Sequence, residues 1–216
     1  MARRIDPERH RARRLQIIDA GLTVFAHAGY AGATTAAICR EAGIGSGTFF
    51  HYFPTKDSLL LAILDEGLAE TREFFAAQEG RADAVQVLLD WVRHALDDLR
   101  DPRATGFIAA VSGLSMRDDV ATALRADEKA TRTGLMHWLA LAQGSGEVRS
   151  DLSVDRLAGW VMLIVDGFAG RVGGSADFEV TAEEVLLFEV ITTFLAGPSA
   201  PPHRATQQER EEDPHA

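Results

Sequence analysis

The chain is 216 residues long, 46% hydrophobic and 25% charged, with a formal net charge of −10; it can hold one large or two small domains and bury a real core. A lone cysteine, Cys39, excludes an internal disulfide and points to a reducing compartment. The basic start M-A-R-R-I-D-P-E-R-H-R-A-R-R leads into no apolar signal segment, and the longest apolar run, Trp160 to Val165, is too short to span a bilayer, so a soluble cytoplasmic protein with no membrane partner is expected.

The net charge is unevenly spread. Residues 1–56 carry eight Lys/Arg and four Asp/Glu, hence +4, while residues 57–216 carry fourteen and twenty-eight, hence −14. A basic head on an acidic body suits a chain that meets a polyanion at one end only. Sustained polar/apolar alternation is missing, and with it any Asn-Gly or Asp-Gly pair set between two strands as a hairpin, whereas helical periodicity runs throughout, so the fold is expected to be all-α. The periodicity predicts helices near 8–28, 35–42, 46–52, 57–79, 83–99, 104–114, 118–143, 154–173 and 182–196. Breaks fall at Gly29, Gly43, Pro54, Gly80, Pro102, Gly144 to Gly146 and Gly173-Gly174. The expected layout is a three-helix head over 1–56, a larger helical body over 57–196, and a tail over 197–216 too Pro-rich and polar to order itself.

Within the head, residues 43–54 read G-I-G-S-G-T-F-F-H-Y-F-P. These glycines do not make a nucleotide loop. Thr48 stands where G-x-G-x-x-G needs its third glycine, Lys56 lies nine residues past Gly47, and a helix rather than a strand leads in. Helix 35–42, a tight turn at Gly43 to Gly45 and helix 46–52 instead make a helix-turn-helix. Phe49 and Phe53 are four apart and form a small core with Ile38 and Phe25, which turns Gly47 and His51, flanked by Thr48 and Phe50, outward. A glycine inside a helix costs about 1 kcal/mol relative to alanine. Close approach to a large partner explains Gly47, and so does relief of crowding against the neighbouring helix. Hydroxyls at Thr35, Ser46 and Thr48, the polar tips of His51 and Tyr52, and the cation of Lys56 suit phosphate oxygens.

Residues 25–60, F-A-H-A-G-Y-A-G-A-T-T-A-A-I-C-R-E-A-G-I-G-S-G-T-F-F-H-Y-F-P-T-K-D-S-L-L, resemble the TetR family of bacterial transcriptional regulators. The likeness runs through a Phe, Gly-Tyr, Thr-Thr, Ile, Ala-Gly, a Gly-Thr pair, an aromatic cluster and Lys before Leu. It implies a homodimer on double-stranded DNA whose two recognition helices enter successive major grooves of a palindromic operator. It also implies a body that binds a small-molecule effector and releases the repressor. By the same resemblance, phosphate contacts fall on Thr35, Tyr52 and Lys56, and groove-facing positions on Ser46, Gly47, Thr48, Phe50 and His51. Two positions depart from the family. Gly45 opens the recognition helix where a serine is common, so a backbone N–H replaces a hydroxyl, and Ser46 stands where Lys or Arg is common, which removes a bidentate guanine reader. Readout then leans on DNA shape, with electrostatics from Arg11, Arg13 and Arg14. Further on, G-E-V-R-S-D-L followed by V-D-G-F looks like a common C-terminal subgroup of the family.

In the body, helix 154–173 holds W-V-M-L-I-V and helix 182–196 holds V-L-L-F, V-I and F-L, so each is apolar on more than one face. A homodimer through these two helices covers the surplus; a thick monomer core is the alternative. Aromatic and methionine side chains expected around an effector pocket are Phe74, Phe75, Trp91, Phe107, Met116, Met136, Trp138, Trp160, Met162 and Phe168, with His94, His137, Asp166 and Arg171 as polar members. No H-x-x-x-H, Cys/His cluster or G-x-S-x-G motif occurs, so no metal, cofactor or enzymatic activity is expected. The competing reading is a helical small-molecule-binding or scaffolding protein without specific DNA binding.

Overall fold

The computed structural model of the chain describes residues 6–174 and 178–197, and among these residues all regular structure is helical. The helices are α1 (Pro7–Gly32), α2 (Thr35–Glu41), α3 (Ser46–Tyr52), α4 (Lys56–Ala77), α5 (Ala84–Leu99), α6 (Ala104–Ser112), α7 (Asp118–Gly144), α8 (Val154–Gly174) and α9 (Val180–Ala196). The expected disordered tail lies, apart from Gly197, outside the described residues.

Local chemistry sets most of these limits. Asp6 caps α1 by accepting the Glu8 amide at 3.1 Å, with Pro7 in the first helical position where its missing N–H costs nothing. The break expected at Gly29 is a kink: its φ of 64° interrupts α1, and one more turn carries Tyr30 to Gly32. Thr34 caps α2 by accepting the Ala37 amide at 3.1 Å. At the other end of α2, Gly43 takes φ +60°, its amide reaches the Arg40 carbonyl at 3.2 Å, and the Ile44 amide reaches Cys39 at 2.9 Å. This paired closure needs a left-handed residue and sets the exit angle toward α3. Thr55 and Ser58 close a reciprocal capping box at the start of α4.

Two apolar clusters hold the molecule. The head cluster contains Ile17, Phe25, Ile38, Phe49 and Phe53, all at most 3% exposed, so the four aromatic and aliphatic residues expected to meet do meet. It does not stop at Lys56. Leu59, Leu60 and Ile63 of α4 belong to it, as do Val111 of α6 and Val120 of α7. The first two turns of α4 are thus head by packing, and α6 and the start of α7 are the body's contact with it. Gly106 of α6 lies so close to α1 that a Cβ there would stand 2.2 Å from the Ala26 carbonyl oxygen. Arg103, just before α6, donates to Asp19 at 2.6 Å and to Thr23 at 3.0 Å on α1.

The body cluster gathers Val87, Leu88, Val92 and Leu96 of α5, Leu135 and Leu139 of α7, Leu157 and Val161 of α8, and Ile191 and Leu195 of α9. By length and composition α8 is apolar enough to cross a bilayer, a property that the six-residue run Trp160 to Val165 alone did not suggest. One face of α8, through Leu157, Val161, Val165 and Phe168, is buried in this cluster. Its other face, and one face of α9, remain open: Trp160, Leu163, Val185, Leu186 and Val190 are 44–73% exposed.

Candidate nucleic-acid interface and effector cavity

The second helix of the helix-turn-helix buries Phe49, half-buries Tyr52 and presents the rest. Gly45, Ser46, Gly47, Thr48, Phe50 and His51 are all exposed, Phe50 at 53%. Gly45 is the N-cap of α3 and offers no side-chain cap, in an extended conformation (φ −81°, ψ 158°) open to any residue. A Cβ built on Gly47 meets nothing within 4 Å. Of the two explanations for this glycine, crowding against a neighbouring helix is therefore absent, and the face it bares is backbone open to solvent.

Around this face the phosphate-suited residues differ in how free they are. Thr35 is half-buried at the start of α2, next to the capping Thr34. Tyr52 is half-buried against His10 of α1, ring centroids 4.6 Å apart, and meets His51 edge-on at 5.2 Å. His10, absent from the sequence-based candidates, thus belongs to this surface; its only signal was its place in the basic start of α1. The Lys56 ammonium donates to the carbonyls of Tyr30 at 2.7 Å and Ala33 at 2.9 Å and lies 4.1 Å from the centre of the Tyr30 ring. Two of its three N–H groups are thereby committed, and it pins the α1–α2 turn. Arg117 reaches the same tyrosine, donating to its hydroxyl at 3.1 Å and to Asp57 at 3.2 Å. Of the three arginines expected to supply electrostatics, Arg11 is exposed, Arg13 donates to Gln16 at 3.0 Å, and Arg14 is paired with Glu66 of α4. Gln16 in turn donates to the carbonyl of Ala42, the C-cap of α2, at 2.7 Å and so fixes α2 on α1.

In the body, a cavity of about 390 Å³ lies among α4, α5, α6, α7 and α8. Helical spacing explains its walls: Trp91, His94, Ala95 and Asp98 from α5, Leu124, Asp127, Glu128 and Thr131 from α7, and Met162, Val165, Asp166 and Ala169 from α8. Thr71 and Ile108 complete it from α4 and α6. Of the expected pocket residues it brings together Trp91, His94, Met162 and Asp166.

The others stand elsewhere, each for a local reason. Phe107 is one residue from Ile108 and so points about 100° away, onto the head cluster. Met116 lies in the turn after α6 and is 93% exposed. Met136 is half-buried on the body core, outside the cavity, and Trp138 and Phe168 are part of that core. His137 is exposed on α7, edge-on to Trp138. Trp160 is 47% exposed on the outer side of α8, beside Phe194. Phe75 lines a separate cleft with Arg72 and Gly134, and Phe74 stacks on His94 from the body core at 5.1 Å. Arg171 lies over Phe178, away from the cavity.

Two of the cavity's carboxylates, Asp98 and Asp166, are perturbed. Asp98 reaches solvent, yet crowding by protein raises its pKa above the usual range, with Asp97, Asp101 and Asp127 adding to it and His94 opposing. Asp166 reaches solvent at the mouth, yet crowding by protein and the charge of Glu128 raise it too. Glu70, beside Asp98, is raised first by burial and then by that neighbour.

The family described as "Bacterial regulatory proteins, tetR family" matches residues 17–63, the span from the middle of α1 through the head-packed turns of α4. The transcriptional repressor AcnR of Corynebacterium jeikeium is 27% identical over 169 residues, covering 74% of this chain and 81% of that protein. A TetR transcription regulator from Haloarcula marismortui superposes with a TM-score of 0.74 at 19% identity, covering 85% of this chain and 96% of its own. The transcriptional regulator FadR from Bacillus subtilis, solved in complex with stearoyl-CoA, gives a TM-score of 0.68 at 22% identity, covering 83% of this chain and 98% of its own.

Proposed function

Because the chain belongs to the TetR family of bacterial regulatory proteins, we propose that it is a homodimeric transcriptional repressor that holds a palindromic operator and leaves it when a small molecule fills the α4–α8 cavity. The observation that carries this reading is the outer face of α3. Six consecutive or near-consecutive residues from Gly45 to His51 are exposed, and Gly47 is bare although no neighbour among the described residues requires it. A helix of this kind can approach a groove closely enough for backbone amides and short hydroxyls to contact the duplex. Thr35, Tyr52 and Lys56 flank it as phosphate contacts, Tyr52 held by His10 and Lys56 by the α1–α2 carbonyls.

The open apolar faces of α8 and α9 support a dimer through these helices. Trp160, Leu163, Val185 and Leu186 form too much exposed apolar surface for an isolated body, and a twofold four-helix arrangement buries it against its copy.

For release, α6 supports a coupling of cavity to head. Ile108 lines the cavity while Phe107 and Val111 of the same short helix pack on the head cluster, and Gly106 is in close contact with Ala26. A ligand that displaces α6 must move α1, and the spacing of the two α3 helices with it, so effector and operator oppose each other by linkage. A mobility-shift titration on DNA flanking the chain's own coding sequence tests the reading. Specific binding is expected at moderate salt and weakened binding for Lys56→Ala and Tyr52→Ala. No specific binding, with both variants like wild type, overturns it.

A further inference from the structure

The charge of the α4–α8 cavity has a consequence for what enters it. Asp98, Asp127, Glu128 and Asp166 line the cavity and no Lys or Arg does. Asp127 accepts the Thr71 hydroxyl at 2.9 Å, which leaves its second oxygen open, and His94 is held flat on Phe74. Deeper in, Thr131 is only 8% exposed, yet its hydroxyl makes no bond to a preceding carbonyl of the kind that Thr122 and Thr133 make on the same helix. Among the described residues no fully buried side-chain nitrogen or oxygen lacks a partner, so this hydroxyl opens onto the cavity that Thr131 lines, where it is free to meet a ligand. The remaining wall is apolar, with Trp91 and Met162 as its largest members.

We infer that the effector is an organic cation, an amine or quaternary ammonium carried on an apolar body, with its positive charge among Asp98, Asp127 and Asp166 and its body against Trp91 and Met162. The inference rests on the effector reading above. Crowding by protein is the larger cause of the raised pKa of Asp98 and Asp166, but the charge of Asp127 adds to the first and that of Glu128 to the second, and a cation relieves such repulsion while an anion adds to it. Trp91 supplies a ring for cation–π contact. A bare metal ion is the weaker occupant: among the described residues no group of three His, Cys, Asp or Glu side chains is close enough to hold one.

The test uses the full-length protein and three probes of one chain length: decyltrimethylammonium, decanoate and decanol. Binding is read by tryptophan fluorescence, with Trp91→Phe identifying the cavity signal, and by thermal shift. The cation is expected to bind more tightly than either other probe, and Asp98→Asn and Asp166→Asn are each expected to weaken it about tenfold while leaving decanol binding unchanged. Decanoate or decanol binding at the Trp91 signal as tightly as the cation overturns the inference and leaves the effector cavity standing. No probe moving the Trp91 signal overturns both. A thermal shift as large with magnesium chloride alone also overturns the organic-cation assignment.

Discussion

Gly47→Ala separates the stability of α3 from its use. A Cβ at this position meets no atom of the chain within 4 Å, and the residue is exposed in a helix seven residues long. Alanine therefore adds no clash and removes the entropic cost of glycine, a gain of about 0.5–1 kcal/mol. For a chain of this size that corresponds to a melting temperature higher by roughly 1–4 °C. If the same face lies against DNA, the added methyl stands between helix and groove, and forcing a methyl into a packed contact costs about 1–3 kcal/mol. Operator affinity should then fall by about five- to 150-fold. Differential scanning calorimetry and fluorescence anisotropy on one labelled operator, at one salt concentration, read the two effects side by side. An unchanged operator affinity would show that Gly47 does not face the duplex. A lower melting temperature would show that the space around it is not open.

Gly106→Ala should act in the opposite sense on stability. Its Cβ would be 2.2 Å from a backbone oxygen that cannot rotate away, so α1 and α6 must part, at a cost of about 1–3 kcal/mol or more in urea denaturation; no loss would mean that α6 does not press on α1. The double variant Leu163→Asp with Leu186→Asp should turn a dimer into a monomer in sedimentation velocity with helical circular dichroism retained, because each carboxylate would cost several kcal/mol to desolvate. For pH, the Asp98 carboxyl has a folded-state pKa raised by crowding of protein, so its charged form is a penalty, present above that pKa and absent below the unfolded value. Asp98→Asn should therefore raise the melting temperature at about pH 7.5, with the gain shrinking as pH falls toward about 4; a gain independent of pH would place the effect elsewhere.

Much of the fold was legible because its helix ends are written in side chains and glycines. The limits of α3 match the sequence expectation, Gly43 closes α2 as a left-handed residue, and Thr55 opens α4. Gly29 was read as an end and is a kink, since the one turn beyond it is held by the Gly29 carbonyl accepting the Ala33 amide at 3.1 Å. The exposed face of α3 followed from a single choice, that Phe49 points inward. The cavity was less legible. Side-chain type selected Met116, Phe107 and Trp160, but position on a helix face, together with which helices are neighbours, decides who lines a space. The close contact of α6 with α1, which turns Phe107 toward the head, depends on Gly106, and a lone glycine in an apolar stretch does not announce its neighbour. The acidic members Asp98, Asp127 and Glu128 were not among the pocket residues expected from the sequence, and only the packing of five helices brings them around one space.

The most direct test of a repressor that reads a duplex through α3 is selection from random double-stranded DNA with the full-length protein. The account predicts enrichment of a palindrome whose half-sites are spaced by about one helical turn or a multiple of it, with Gly47→Ala failing to enrich the same sequence under the same conditions. A pool that stays random, or one enriched equally by both proteins, would contradict it.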